Sequence, residues 1–341
     1  MVYVGLDVHK CWTSVAALDP DSGQVWRFDR VPNTRADFAE ALRALPEPRH
    51  GVLESGRNSW ALHDQVRPLF DELYVADAAE LKRRMSGRGA KTDRKDALKM
   101  ALVLAEGRVP AVWVPSLQTR DVRTLTRGKV RLTQLRTQVI NQVRSLCAMF
   151  GQECPASSLR TKKAQAWLQQ LALPPLATQM LQRWVQIWQL LEACVAEAEQ
   201  QIEQCVAHDE EAQRIQTMPG VGAFTALTVV AEIGDVRRFD SAKALIGYSG
   251  LAPQVYQSGE RTRHGPLPHS GNSWLRYVMV LAAQHVACRR TDSVLRRRYW
   301  RTHMRHGPNP AKIVTARKML ALAYHLLRRR EDYEEQLTTA A

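Results

Sequence analysis

Four acids stand where their charge needs a reason. Asp7 sits inside the apolar run Val2–Val8, between Leu6 and Val8. An ionised carboxylate there is expensive unless it is paired or binds a metal. Glu54 ends a second short apolar run, Gly51–Leu53. Asp93 and Asp96 occur in KTDRKDALKM, three residues apart, which on a helix sets both on one face. A strand aspartate, a strand-end glutamate and a helical aspartate pair form an oxygen-rich set suited to a hard cation, Mg²⁺ or Mn²⁺. Two such ions can clamp the attacking and leaving oxygens of a phosphodiester. Taken singly, each acid has a plainer explanation. Asp7 could face solvent, Glu54 could pair with Arg57, and Asp93 and Asp96 could be a helix cap and a first-turn acid. Their joint arrangement is what points to chemistry.

A candidate nucleophile lies far along the chain. Ser258 precedes a glycine in LAPQVYQSG, Leu251–Gly259, and Arg261, Arg263 and His264 follow it. A hydroxyl beside guanidinium groups can attack a phosphodiester, with arginine stabilising the phosphorane charge. The alternative is a Ser-Gly turn with no chemical role. Basic residues gather in two stretches that hold almost no acids. Lys82, Arg83, Arg84, Arg88, Lys91, Arg94, Lys95 and Lys99 surround the aspartate pair. Arg289, Arg290, Arg296, Arg297, Arg298, Arg301 and Arg305 form the second stretch, with Tyr299 and Trp300 interleaved. Solvated helix faces usually mix both signs, so these stretches read as surfaces for a DNA or RNA backbone, with binding that falls steeply with salt. The turn MPGVG, with Gly220 and Gly222, has the order of a helix-hairpin-helix DNA binder, where backbone N–H groups at a helix start receive a phosphate. An ordinary turn into a core helix has the same order. The histidines show neither HxH nor HExxH spacing, and His9, His50 and His208 read as incidental.

The elements that would position these residues follow from periodicity. Val2–Val8, Trp12–Leu18 and Val25–Val31 read as a three-strand meander, turned once at Asp19–Gly23. Thr34 caps a helix that Pro46 and Pro48 close, and Gly51–Leu53, a helix over Trp60–Phe70 and the strand Leu73–Ala76 follow. That is a βββαβαβα pattern, the topology of RNase H-like nucleases, with no Gly-rich first loop of a doubly wound nucleotide fold. From Leu117 the pattern changes to long helices. Leu125, Leu132, Val139 and Leu146 recur at seven, with Leu135 and Val143 between them, and a second series runs from Met180 to Cys205. The two series read equally as an antiparallel coiled coil, or dimerisation arm, and as an amphipathic bundle. After Thr217 come the helices Ala223–Ile233 and Ser241–Ile246, a Gly/Pro-rich loop over Gly247–Gly271, and two closing helices, Trp274–Cys288 and Ile313–Arg330. The fold class is therefore α/β plus all-α, with boundaries at 1–116, 117–210 and 211–341.

Bulk properties narrow the partners. The chain has 341 residues and a formal net charge of +14, which argues for a polyanion as ligand, nucleic acid first. No uncharged run reaches the ~20 residues needed to span a bilayer, and MVYVGLDVHK lacks a signal-peptide pattern. Six scattered cysteines without a CxxC pair fit reduced thiols in a cytoplasm.

GLDVHK, the LES around Glu54, KTDRKDA, MPGVG and GLAPQVYQSG, in this order, resemble the DEDD-type transposases of bacterial insertion sequences, family one-ten. The resemblance covers nearly the whole chain. It implies a RuvC-like (RNase H-like) domain, a coiled coil and a C-terminal transposase domain. It further implies a metal held by Asp7, Glu54, Asp93 and Asp96, a nucleophilic Ser258 that leaves a covalent phosphoserine link to DNA, and a composite site. Donor and target DNA, a guiding bridge RNA and a homo-oligomer, dimer or tetramer, are the partners it implies. Three rival functions remain open. A RuvC-like junction nuclease would use metal-activated water, and an actin-like ATPase or sugar kinase would use GLDVHK as a phosphate hairpin, although the sequence shows no second glycine-rich phosphate loop in the expected place. A DNA-architectural protein would leave the acids unexplained. Replacing Ser258 by Ala and Asp7 by Asn separates the recombinase from the junction nuclease in a DNA cleavage assay: a serine recombinase loses activity with either change, and a water-using nuclease only with Asp7→Asn.

Overall fold

The protein is described by a computed structural model covering residues 1–85, 93–258, 261–288 and 292–334; for residues 93, 94, 255–258 and 261–264 the description is of the backbone. Two compact units divide the chain, Met1–Pro115 and Ser116–Ala341.

In the first unit, β1 (Val2–Val8), β2 (Trp12–Leu18) and β3 (Val25–Pro32) form the expected antiparallel meander. The β2–β3 turn is built by Asp19, whose carboxylate accepts from Asp21 N–H (3.1 Å) and the Ser22 hydroxyl (2.7 Å), while Gly23 takes φ +70°. Thr34 caps α1 (Arg35–Leu42) by accepting from Asp37 N–H at 3.2 Å. Then come β4 (Arg49–Glu54), α2 (Ser59–Val66), β5 (Glu72–Ala76), α3 (Ala78–Arg84), α4 (Asp93–Ala105) and β6 (Ala111–Val112). Among the described residues the sheet runs β3-β2-β1-β4-β5-β6, with β1, β4 and β5 parallel and β6 antiparallel to β5.

Strand alternation divides the core between the two faces. Val2, Val4 and Leu6 of β1, with Leu53 of β4, pack with Phe38, Leu42, Leu62 and Val66 from α1 and α2. Tyr3 and Val52 pack on the other face with Met100, Val103 and Leu104 of α4. That second face also holds Gly5, and α4 reaches it closely. A Cβ on Gly5 would stand 1.9 Å from the Ala97 carbonyl oxygen and 2.8 Å from the Ala101 nitrogen. The helix backbone therefore lies directly on the strand, through fully buried Ala97 and Ala101.

The second unit opens with a helical hairpin, α5 (Leu117–Met149) and α7 (Pro175–Ala207), with α6 (Lys162–Gln170) near its tip. Lys129 pairs with Glu199 at 3.0 Å and Arg136 with Glu192 at 3.3 Å. Seven residues forward on one helix are seven back on the other, so the two run antiparallel with heptad spacing. Glu192 also accepts from Arg160 (2.7 and 2.6 Å) and from the Trp188 indole (2.9 Å). Burial raises its pKa, but these donors and Arg136 outweigh that and hold the carboxyl below its usual range. Leu135, expected within the seam, is exposed, because the buried stripe on α5 runs through Thr126, Val130, Val139, Val143 and Cys147 and passes to one side of it.

The chain continues through α8 (Glu210–Gln216), α9 (Ala223–Ile233) and α10 (Ala242–Ser249), then β7 (Val255–Ser258) and β8 (Arg261–His264), and ends in α11 (Ser273–Cys288), α12 (Val294–His306) and α13 (Pro308–Arg329). Several elements, α6 and α8 among them, are additional to the sequence expectation, and two segments differ from it. The Gly/Pro-rich segment contains the hairpin β7–β8, and the arginine-rich stretch forms α12, capped by Ser293 and anchored by buried Leu295 and Tyr299. Among the described residues no helix is long and apolar enough to cross a membrane.

The crossing at Gly5 leaves no room for a side chain. Gly5→Val should destabilise the first unit by about 2 kcal/mol or more, as overpacked cores do. The urea midpoint of purified protein reads this directly, and an unchanged midpoint contradicts the close approach.

Candidate active site

Alternation places Asp7 on the same face of β1 as Tyr3 and Gly5, and Glu54 on the same face of β4 as Val52. The register pairs Leu6 with Leu53, so Asp7 and Glu54 follow at the carboxyl ends of adjacent parallel strands, on the face that α4 covers. Both line one cavity of about 300 Å³, together with His9, Lys10, Ser55, Arg57 and Asn58. Asp7 is neither lost in the core nor freely solvated, with a side chain 21% exposed. Outside the carboxyl ends of parallel strands is where open α/β sheets bind ligands.

The cavity wall is tied down by polar contacts. Asn58 donates to the Lys10 carbonyl (3.2 Å), and Asn33 donates to the His9 carbonyl (2.9 Å) while accepting from the Thr13 hydroxyl (2.7 Å). Ser55 receives the Ala78 N–H at 3.2 Å, which fixes the start of α3 beside the end of β4. His9, read as incidental from spacing, has Nε2 3.6 Å from the Asp7 carboxylate and stacks on Trp12 with ring centroids 3.9 Å apart. Its signal in the sequence was its place two residues after the strand acid, on the same side of the chain.

Asp93 begins α4 and Asp96 follows one turn on, immediately before Ala97, the residue seated on Gly5. Asp96 pairs with Lys99 at 3.6 Å. The Asp93 side chain lies outside the described atoms. Among the described residues no three His, Cys, Asp or Glu side chains stand at metal-holding spacing. In its chemistry the donor set suits a hard divalent cation, with carboxylate oxygens from Asp7 and Glu54 in one cavity and Asp96 on the covering helix.

Ser258 ends β7, where the register pairs it with Arg261 and pairs Tyr256 with Arg263. This places the serine and both arginines on one short hairpin. Of the glycines in MPGVG, Gly220 takes φ +82° and is closely packed, since a Cβ there would stand 2.6 Å from Val286 Cγ2. Gly222 is exposed and precedes α9 as its N-cap.

The first basic stretch divides. Lys82, Arg83 and Arg84 end α3, with Arg83 and Arg84 both paired to Glu80, and Lys95 is exposed on α4. Arg94 is described by its backbone in α4, and Arg88 and Lys91 lie outside the described residues. In the second stretch, Arg297, Arg298, Trp300 and Arg301 are exposed on α12, and Arg297 pairs with Asp292. Burial, then the charge of Arg298, lower the pKa of Lys318 on α13, so two cations meet there and raise the local positive potential.

Residues 4–149 match the DEDD transposase family of the IS110 type, and residues 212–300 match the family "Transposase IS116/IS110/IS902". Together the matches span just over two thirds of the chain. The chain is 27% identical to a "Probable family 20 transposase" of Pseudomonas aeruginosa, over 97% of this chain and 98% of that one. It is 26% identical to the "Transposase for insertion sequence element IS1111A" of Coxiella burnetii, over 71% and 68% of the two chains. It is 25% identical to a "Pilin gene-inverting protein" of Moraxella bovis, over 98% of each.

If the acid cavity holds a divalent cation, Mn²⁺ titrated calorimetrically into the protein should bind to the native chain. Asp7→Asn should weaken that binding by at least about tenfold, as loss of a carboxylate ligand does. Equal affinity in the two proteins would remove Asp7 from the cation site.

Proposed function

We propose a mechanism for this chain on the premise that it belongs to the DEDD-type transposases of the IS110 family and is a DNA recombinase. Membership brings a requirement for a divalent metal, and in this reading the metal is Mg²⁺ or Mn²⁺. The first unit acts as an RNase H-like (RuvC-like) domain, for which the strand order β3-β2-β1-β4-β5, three antiparallel and two parallel, is the support. Asp7, Glu54, Asp93 and Asp96 hold the cation, which when bound supplies Lewis-acid charge to a scissile phosphate. The observation that carries this reading is the convergence of Asp7 and Glu54 in one cavity under the helix that bears the other two acids.

Ser258 is the nucleophile. Its hydroxyl oxygen forms a new bond to phosphorus, its proton passes to a neighbouring base or water, and one deoxyribose oxygen leaves and takes up a proton as a free hydroxyl. Arg261 and Arg263 neutralise charge developing on the phosphorus oxygens. Reversal of the step on the hydroxyl of another strand rejoins the backbone with no external energy source. The three parts 1–116, 117–210 and 211–341 then supply the metal site, a helical arm and the nucleophile.

Two basic surfaces suit donor and target DNA together with a guiding bridge RNA. They are Lys82, Arg83, Arg84 and Lys95 in the first unit and Arg297, Arg298 and Arg301 in the second. Leu176 and Leu190 on α7, 77% and 64% exposed, with Met180 and Ile187 between them, support assembly of the arm into a homo-oligomer.

A joining assay on DNA carrying two element ends, with the transcript of the element's flanking non-coding segment added, tests the whole reading. Chelation by EDTA should abolish joining, and so should ribonuclease treatment before DNA is added; Mg²⁺ and fresh transcript should respectively restore it. Joining that survives EDTA contradicts the metal, and joining that survives ribonuclease contradicts the guide.

A further inference from the structure

Glu232 is fully buried near the end of the apolar helix α9, and nothing in the proposed chemistry uses it. A carboxylate in such a place persists only when its oxygens are satisfied. Arg127 of α5 binds it in a fork, with Nε to Oε1 at 2.8 Å and Nη2 to Oε2 at 2.9 Å. Arg123 reaches the carbonyls of Ala231 (2.8 Å) and Glu232 (3.2 Å). Burial pushes the Arg123 guanidinium down from its usual pKa, and the Glu232 charge opposes the shift.

The remaining partner is Asn272, whose amide donates to Glu232 Oε2 at 2.9 Å and to the Tyr248 hydroxyl at 3.1 Å. The Asn272 side-chain oxygen accepts the N–H groups of Trp274 (3.1 Å) and Leu275 (3.0 Å), which caps α11. Its own N–H donates to the Tyr248 carbonyl at 2.7 Å. Tyr248 and Asn272 are the two ends of the segment that carries the β7–β8 hairpin. Arg276 closes the same base, with Nη1 donating to the carbonyls of Gly250 (3.3 Å) and Pro268 (2.7 Å). The backbones of the two ends meet there. A Cβ on Gly250, at φ +70°, would stand 2.6 Å from the Ser270 oxygen.

We propose that Asn272, oriented by Glu232, and Arg276 are positioning residues that fix the base of the hairpin bearing Ser258. This rests on the reading of Ser258 as the nucleophile. The arginines of α5 hold Glu232, Glu232 holds the Asn272 amide, and Asn272 with Arg276 joins the feet of the hairpin. Loosening the base moves the hydroxyl relative to the phosphate, and a displacement of about 1 Å can lower a reaction rate on the order of a hundredfold.

The test measures the rate of covalent protein–DNA adduct formation at saturating DNA, beside DNA affinity and thermal unfolding. Asn272→Ser keeps a capping oxygen for α11 and removes the amide donor, and Arg276→Met removes the second clasp. Both should keep a cooperative unfolding transition and bind DNA within about twofold of the native protein, with adduct formation slower by about tenfold to a hundredfold. Tyr248→Phe, which removes one hydroxyl, should slow it by a smaller factor without loss of folding. Native adduct rates in Tyr248→Phe and in whichever of the other two folds would overturn the proposal, as would a fall in DNA affinity equal to the fall in rate. A native protein that forms no adduct, with Ser258→Ala still cleaving DNA, would instead overturn the nucleophile.

Discussion

A helix can lie directly on a β-strand only where neither carries a bulky side chain at the crossing. In the first unit that crossing is Gly5 against Ala97 and Ala101, and the placement of the acids follows from it. Asp7 is two residues beyond Gly5 on the same face, and Glu54 holds the matching position on the adjoining strand. Asp96 directly precedes Ala97, and Asp93 lies one turn earlier. A side chain at residue 5 would lift the helix and carry its acids away from the strand ends. The Gly-Leu-Asp order thus joins a packing requirement to a chemical one within three residues.

The positive charge divides between two uses. Arg123 and Arg127 neutralise a buried carboxylate, Arg136 and Arg160 converge on Glu192 in the helical hairpin, and Arg276 bonds backbone carbonyls. These guanidiniums act inside the second unit, where forked donors match carboxylate geometry better than an ammonium would. The cations left for a polyanion are those on exposed faces, such as Arg298 and Arg301 on α12 and Lys95 on α4. The net charge of +14 therefore overstates the ligand-facing surplus in some places and understates its concentration in others.

How much was legible depended on which force made each element. The bounds of β1, β2 and α9 follow from runs that are apolar but for a few polar residues, because burial of the rest selects them. The acid pair on β1 and β4 was legible for the same reason, as a charge interrupting an apolar strand has few explanations. Glu232 in AFTALTVVAEI carries that same signal on a helix, where a single acid is less conspicuous than in a short strand. The hairpin β7–β8 stayed hidden because glycine and proline around it mark turns, while its strands are short and polar. Helix α12 was obscured by its arginines, since only Leu295 and Tyr299 are buried along it. The approach of α4 to Gly5 is a tertiary contact between residues ninety positions apart, and no local pattern announces it.

The central claim is that the DNA phosphate is transferred to the Ser258 hydroxyl. Tryptic digestion of the covalent protein–DNA complex, followed by nuclease trimming and mass spectrometry, reads this at one residue. The peptide Ala244–Arg261 holds Ser249 and Ser258 as well as Tyr248 and Tyr256, so fragmentation discriminates among four hydroxyls. The account predicts a nucleotide phosphate on Ser258. A phosphate on either tyrosine or on Ser249, or DNA cleavage with no modified peptide, would contradict it.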